Sequence, residues 1–276
     1  MEKIKKLKQL FKRFNLDGYI VPKNNNFFGE YVSATEDNLK YISNFTGSAG
    51  FAVILKNKNF MFVDGRYTTQ ANIQCGKNYK ICTIPNIYPF NIFNNKNLNL
   101  GFDPRLHTEN SLKRLFGNSF IKLKPIDKNL IDLIWKREKN LNIKPFYLIK
   151  DVDAGAKLKN KLLKVCKQIK LSNADYLFTT ASENIAWLLN IRGHDTDYSP
   201  LPNAHAFIGK DKKVVLFCNL KKINKSLKIE LNKKIKIFDF DQLTEFISNL
   251  LNKKILIDML TCSIFFKTLI SKNNLI

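Results

Sequence analysis

The chain repeats itself. Glu36-Asp-Asn-Leu-Lys-Tyr-Ile-Ser-Asn-Phe-Thr-Gly47 aligns with Ser182-Glu-Asn-Ile-Ala-Trp-Leu-Leu-Asn-Ile-Arg-Gly193, and Asn, an aliphatic, an aromatic, an aliphatic, Asn and Gly recur at the same spacings. Each copy follows a helix–strand pattern and precedes a hairpin pattern. Duplication of one α/β unit constrains the fold more than any other feature: it requires two similar cores rather than one large one. The expected architecture is α/β, two tandem repeats of a mixed β-sheet flanked by helices, and 276 residues agree with two domains. The boundaries fall at 1–137 and 151–276, joined by a polar linker at 138–150 that carries Pro145.

Periodicity fills in the units. In the first, residues 3–14 read as a helix and Gly18 to Val21 as a buried strand. Thr35 is placed to cap a second helix with Asn38 in its first turn. Phe51–Leu55 and Phe60–Val63 form a hairpin across Lys56–Asn59. Tyr67–Cys75 reads as a short helix, Leu98–Phe102 as a strand, and Thr108–Phe116 and Leu130–Trp135 as helices. In the second, a long helix covers about 154–170, followed by a strand at Tyr176–Thr179 and a helix at Ser182–Leu189. A hairpin joins Ala206–Ile208 to Val214–Cys218, and a helix at Phe246–Leu251 and a strand at Ile255–Ile257 complete it. Gly47 and Gly193, just past the repeated helices, are placed as left-handed C-terminal caps.

Charge and cysteine usage bear on partners and compartment. Forty-six basic residues against 23 acidic ones leave +23, a balance compatible with nucleic acid or an anionic surface. The basic residues are mostly Lys, spread over the whole length of a chain rich in Asn and Ile. All three have A/T-rich codons, so nucleotide bias accounts for them and no specific nucleic acid is expected. Cys75, Cys82, Cys166, Cys218 and Cys262 contain no C-x-x-C pair and are odd in number. Reduced thiols and a cytoplasmic location follow, rather than disulfides or zinc. No apolar run approaches the ~18 residues of a membrane span. The amphipathic start, with Ile4, Leu7, Leu10, Phe11 and Phe14, reads as a helix packed on a sheet rather than a targeting or membrane-surface helix.

Few segments could carry chemistry. Dinucleotide and phosphate-loop glycine motifs are absent, as is G-x-S-x-G. Ser48, between Gly47 and Gly50, has no evident His partner, so tight-turn chemistry accounts for the glycines. Three histidines (His107, His194, His205) exclude a His-rich metal cage. His194-Asp-Thr-Asp197 offers three ligands at most, in a loop, and turn hydrogen bonding explains it. Phe62-Val-Asp-Gly-Arg-Tyr67 is more suggestive. Gly65 permits a sharp turn, and Arg66 then projects from the C-terminal end of a strand, where α/β proteins bind ligands. Its guanidinium could fork onto a carboxylate or carbonyl groups. A structural Asp64–Arg66 pair or an interface arginine explains the same spacing.

Tyr41-Ile-Ser-Asn-Phe-Thr-Gly-Ser-Ala-Gly-Phe-Ala-Val53, then Phe62-Val-Asp-Gly-Arg-Tyr67 and Gln70-Ala71, resembles the first domain of the three-domain Xaa-Pro aminopeptidases. Glu30-Tyr31-Val32 and Asn129–Trp135 fit as well. Ala186-Trp-Leu-Leu-Asn-Ile-Arg-Gly193, with Asp195, Tyr198 and Pro200, resembles that family's middle domain. The resemblance implies two creatinase/prolidase N-terminal-type domains, the second truncated at its C-terminus. In the family they precede a pita-bread domain that binds two divalent metals, usually manganese, and releases an N-terminal residue preceding proline. The metal-ligand motifs of that domain have no counterpart here, so no catalytic residue and no cofactor is assigned to this chain. The resemblance assigns one binding role, contact with the peptide substrate, to Arg66. Trp187, Asn190 and Gly193 match family positions and read as packing and capping. The expected partners are a separately encoded catalytic chain, peptide substrate within that complex, and a second copy in a homodimer. A scaffold remnant using old dimer surfaces and a basic nucleic-acid binder are the alternative readings.

Overall fold

A computed structural model describes residues 2–117, 119–138, 143–231 and 235–276. The chain divides into two compact units. One comprises Met1–Asn26 with Ala34–Lys139, the other Phe27–Ser33 with Asn140–Ile276. Within the stretch expected to be a linker, residues 139–142 lie outside the described residues.

The first unit is a six-stranded mixed sheet. Its strands are β1 (Gly18–Pro22), β2 (Phe51–Leu55), β3 (Asn59–Asp64), β4 (Lys80–Ile84), β5 (Asn99–Phe102) and β6 (Lys122–Pro125). Their order is β4-β3-β2-β1-β5-β6. β2 runs antiparallel to β1 and β3, and the remaining pairings are parallel. The carboxyl ends of five strands therefore share one edge. Helices α1 (Glu2–Phe14), α2 (Asn38–Ser43) and α3 (Thr68–Cys75) cover one face. Leu7 and Phe11, Leu39 and Ile42, and Ala71 and Cys75 pack there on Tyr19, Ala52, Met61 and Val63. Strand alternation sends Phe60 and Phe62 to the opposite face, where Phe93 of α4 (Pro89–Phe93) meets Phe60 edge-on at 5.2 Å. α5 (Glu109–Phe116) packs beside α4. Each buried Phe or Leu contributes roughly 1.5–3 kcal/mol, so both faces matter to stability.

The second unit repeats the plan. It contains β7 (Tyr147–Leu148), α6 (Asp151–Ala154), α7 (Leu158–Leu171), β8 (Tyr176–Thr179), α8 (Ser182–Leu189), β9 (Ile191–Arg192), β10 (Ala204–Gly209) and β11 (Val214–Cys218). It continues through α9 (Lys225–Leu231), β12 (Ile235–Phe238), α10 (Gln242–Asn249), β13 (Ile255–Ile257) and α11 (Ile264–Ser271). The main sheet is ordered β12-β11-β10-β8-β13. β10 is antiparallel to β8 and β11, while β11–β12 and β8–β13 are parallel. This is the order and sense of β4-β3-β2-β1-β5. The short repeat seen in the sequence thus extends to the order and sense of five strands, β6 alone of the first sheet having no counterpart among the described residues of the second.

Several local expectations change. The left-handed caps are the repeated asparagines, Asn44 (φ 66°) and Asn190 (φ 55°), not the glycines that follow. A short polar side chain tolerates the left-handed conformation, which frees Gly47 and Gly193 for another role: close packing. A Cβ on Gly193 would stand 2.8 Å from the Leu201 carbonyl oxygen. Asp37, rather than Thr35, caps α2, its Oδ1 accepting from Lys40 N at 2.9 Å. Residues 130–134 form hydrogen-bonded turns instead of a helix. The helix expected over 154–170 begins only at Leu158, as α7, with Gly155 (φ 70°) ending the short α6 before it, and that expected over 246–251 begins four residues earlier, as α10. Trp187 is 52% exposed, with the Lys161 ammonium 5.1 Å from its ring, so it does not act as a packing residue.

Candidate functional site

The Arg66 corner is built by three segments of the first unit. β3 ends at Asp64, and a 3-10 turn, Gly65–Tyr67, leads into α3. Asp64 Oδ1 accepts from Arg66 N at 2.9 Å and from Nε at 3.2 Å, and Oδ2 accepts from Nη2 at 2.7 Å. These hydrogen bonds to Arg66 hold the Asp64 carboxyl below its ordinary pKa. The carboxylate organises the turn and aims the guanidinium, while the Arg66 side chain remains 74% exposed. A Cβ at position 65 would meet nothing within 4 Å, so this turn does not need Gly65 on steric grounds.

The second segment, Phe45–Gly50, lies against the first. Tyr67 meets Phe45 edge-on at 5.8 Å, and its hydroxyl pairs with Ser48 Oγ at 2.9 Å. The Arg66 guanidinium lies 5.4 Å from the Tyr67 ring. Ser48 thus holds Tyr67 in place. Gly50, at φ 157° and with Phe62 O only 2.9 Å from a built Cβ, lets this loop run close to β3. The third segment is α3. Gln70 Nε2 and Gln74 Nε2 each donate to Thr46 Oγ1 at 2.8 Å, and Gln74 Oε1 accepts from Thr46 N at 2.9 Å. Thr46 and Gln74 escaped the sequence reading; the i, i+4 spacing of two glutamines on the helix after Tyr67 was the available signal.

Gly47 is the tightest point of the corner. A Cβ there would sit 2.3 Å from Phe45 Cζ and 2.8 Å from Tyr67 Cδ1. We expect Gly47→Ala to cost about 1–3 kcal/mol by overpacking and to displace Tyr67. Denaturant unfolding together with tyrosine ring NMR shifts checks this; an unchanged midpoint with an unmoved Tyr67 contradicts it.

The other sequence candidates fall elsewhere. Asp195 Oδ2 accepts from Asn203 N at 2.7 Å and Oδ1 is paired with Lys222. Thr196 Oγ1 donates to Ser199 O at 3.0 Å, and His194 lies 5.5 Å from the Tyr147 ring. His107 and His205 are buried among aromatic rings. Among the described residues no three His, Cys, Asp or Glu side chains converge as metal ligands. The donors present do not fit a dinuclear centre. All five cysteines are buried and outside disulfides, and among the described residues no helix is long and apolar enough to cross a membrane. Glu30-Tyr31-Val32 groups with the second unit, where Tyr31 meets Tyr198 edge-on at 5.4 Å.

Comparison with known proteins agrees with this layout. Models of the creatinase/prolidase N-terminal domain match residues 3–133 and 137–276. A probable Xaa-Pro aminopeptidase P of Coprinopsis cinerea is 32% identical over 254 residues, covering 88% of this chain and 41% of that protein. Xaa-Pro aminopeptidase 1 of Dictyostelium discoideum is 30% identical over 265 residues, 90% of this chain and 42% of that one. An X-prolyl aminopeptidase from Caenorhabditis elegans, described as a cytosolic enzyme with a di-nuclear active site, superposes with a TM-score of 0.90 at 23% identity. That match covers 99% of this chain and 49% of the other. The chain thus spans less than half the length of these relatives. It belongs to the creatinase/prolidase N-terminal domain family and carries two copies of that domain, homologous to the N-terminal part of the Xaa-Pro aminopeptidases.

Proposed function

We propose that residues 1–276 are the non-catalytic N-terminal part of an Xaa-Pro aminopeptidase system. They position peptide substrate and support oligomerisation for a metal-bearing catalytic domain supplied in the same chain or by another. The observation that carries this reading is the Arg66 corner: an exposed guanidinium fixed by Asp64 at the carboxyl end of a strand. The fixed fork suits a peptide carboxylate or carbonyl oxygen. Nothing at the corner supplies a nucleophile, since Ser48 is tied to Tyr67 and no general base adjoins it. Hydrolysis would need the catalytic domain.

The arginine is separable from the fold. An exposed pair of this kind is worth ~0–1 kcal/mol, so Arg66→Ala should fold normally. A charge-assisted hydrogen bond contributes about 1.5–3 kcal/mol. In the complex with a catalytic domain we therefore expect Arg66→Ala to raise KM for an X-Pro peptide about tenfold or more, with kcat little changed. An unaltered KM would remove Arg66 from substrate binding.

A further inference from the structure

The first sheet has a second opening, distinct from the Arg66 corner. After β1 the chain proceeds to α2 on the α1 face; after β5 it proceeds to α5, on the face of α4. β1 and β5 are parallel neighbours, so their outgoing connections diverge and leave a crevice outside their carboxyl ends. Open α/β sheets bind ligands at such a switch point. Here the crevice is a cavity of about 230 Å³, smaller than the ~300–1,000 Å³ that holds drug-sized ligands.

The lining selects a ligand class. Asn24, Asn25 and Asn26 come from the end of β1, Asp103 and Arg105 from the end of β5, and Glu36 from ahead of α2. The only apolar contributor is Leu106 and there is no aromatic ring, which disfavours a nucleobase or other flat apolar group. Three carboxylates (Glu36, Asp103, Asp132) oppose a simple anion, and two guanidiniums (Arg105, Arg137) oppose a bare cation. Arg137 is committed to the wall. It donates to Thr35 O at 2.8 Å and Asn38 Oδ1 at 2.7 Å, pairs with Asp132, and lies over Trp135. Arg105 links two segments of the lining, its Nη1 donating to Asp127 O at 2.7 Å and standing 4.0 Å from Asp103 Oδ1. Asp103 accepts from Arg105 N at 2.8 Å and is only 5% exposed. Glu36, also in the lining, accepts at Oε2 from Asn25 Nδ2 at 3.2 Å.

We propose that this crevice binds a small α-amino-acid zwitterion, a free amino acid or a dipeptide, with its carboxylate toward Arg105 and its ammonium toward Glu36. Asn24 Nδ2 donates to Leu106 O at 3.2 Å and Asn25 Nδ2 to Glu36, so these carboxamides are held in the lining, each carrying a second N–H and a carbonyl oxygen. Burial raises the Asp103 pKa. The site does not depend on the role of Arg66.

The test titrates the 276-residue chain with alanine, alanyl-alanine, the same dipeptide acetylated and amidated, and glucose, followed by calorimetry and amide chemical shifts. Saturable binding of alanine or alanyl-alanine below about 10 mM is expected, with shifts centred on residues 24–26, 36 and 103–106. Which of the two binds more tightly separates the amino acid from the dipeptide. Arg105→Ala should weaken binding at least tenfold, Arg105→Lys less, and Lys58→Ala in the β2–β3 turn not at all. Failure of both zwitterions to bind, equal binding of the capped peptide or glucose, or an Arg105→Ala affinity matching the parent would each overturn the proposal.

Discussion

Asp37→Ala is expected to cost the first domain about 4 kcal/mol, a large share of the ~5–15 kcal/mol stability of a typical domain. Asp37 has two tasks. Oδ1 caps α2 through Lys40 N, and Oδ2 pairs with the Lys23 ammonium, the two side chains being 5% and 8% exposed. Loss of a cap costs ~1 kcal/mol, and an unpaired buried charge costs about 3–5 kcal/mol. The second effect dominates. Asp37→Ser, which keeps the cap alone, should therefore remain severely destabilised. Combining it with Lys23→Met should recover most of the loss, because the stranded charge is gone. Denaturant unfolding of the four proteins decides. A loss below about 1 kcal/mol for Asp37→Ala would show that water reaches Lys23 and that the pair is not buried as described.

Acid should weaken both domains well before the carboxylates titrate. His107 and His205 are each 3% exposed. Burial pushes their pKa values down, to about 3 and about 4. His107 meets Phe102 edge-on at 5.6 Å; His205 stacks on Phe27 at 4.9 Å and is bordered by Phe178, Phe240 and Phe266. His107 Nε2 and His205 Nδ1 have no hydrogen-bond partner. An unfolded histidine gains its proton near pH 6.5, whereas these stay neutral in the fold until much lower pH. As pH falls from about 6.5, protons bind the unfolded chain first and stability drops, by about 3 kcal/mol through His205 and about 5 kcal/mol through His107 once pH reaches their folded values. Asp17, Asp64, Asp175 and Asp211, held below the ordinary carboxylate pKa by their partners, lose their contribution only below about pH 4. The two windows overlap only below about pH 4, where His107 is still taking up its proton. His205→Phe should flatten the slope between pH 6.5 and 4.5 for the second domain alone. A denaturant midpoint that is level across that range in the parent protein would mean the histidines are not buried neutral.

How the fold could be read from the residues depends on the range of the interactions concerned. The duplicated segment was enough to give two α/β units because helix and strand periodicities are local. Leu39 and Ile42, like Ile185 and Leu188, are buried at matching positions. The caps were misread because two residue types in the motif could supply a left-handed bend; Asn took that role at 44 and 190, and Gly was needed for close approach. Asp37 displaced Thr35 through a partner 14 residues away, Lys23. β4, β6 and β12 went unread. They are edge strands, where partial exposure weakens the hydrophobic run: Lys interrupts β6 and β12, and Lys80 and Thr83 flank the apolar residues of β4. Arg66 was visible because a strand, Gly and Arg stand together in sequence. Its support by Ser48, Thr46, Gln70 and Gln74 joins segments up to 28 residues apart. The switch-point crevice depends on strand order, which no single segment encodes.

On the proposed function, these residues handle peptide substrate without performing hydrolysis. An X-Pro peptide assay with manganese, using the 276-residue chain alone and then with a pita-bread catalytic domain from an Xaa-Pro aminopeptidase, tests it directly. No turnover is expected from the 276 residues alone, and turnover with a KM that depends on Arg66 once the catalytic domain is added. Metal-dependent cleavage by the 276 residues alone would contradict it.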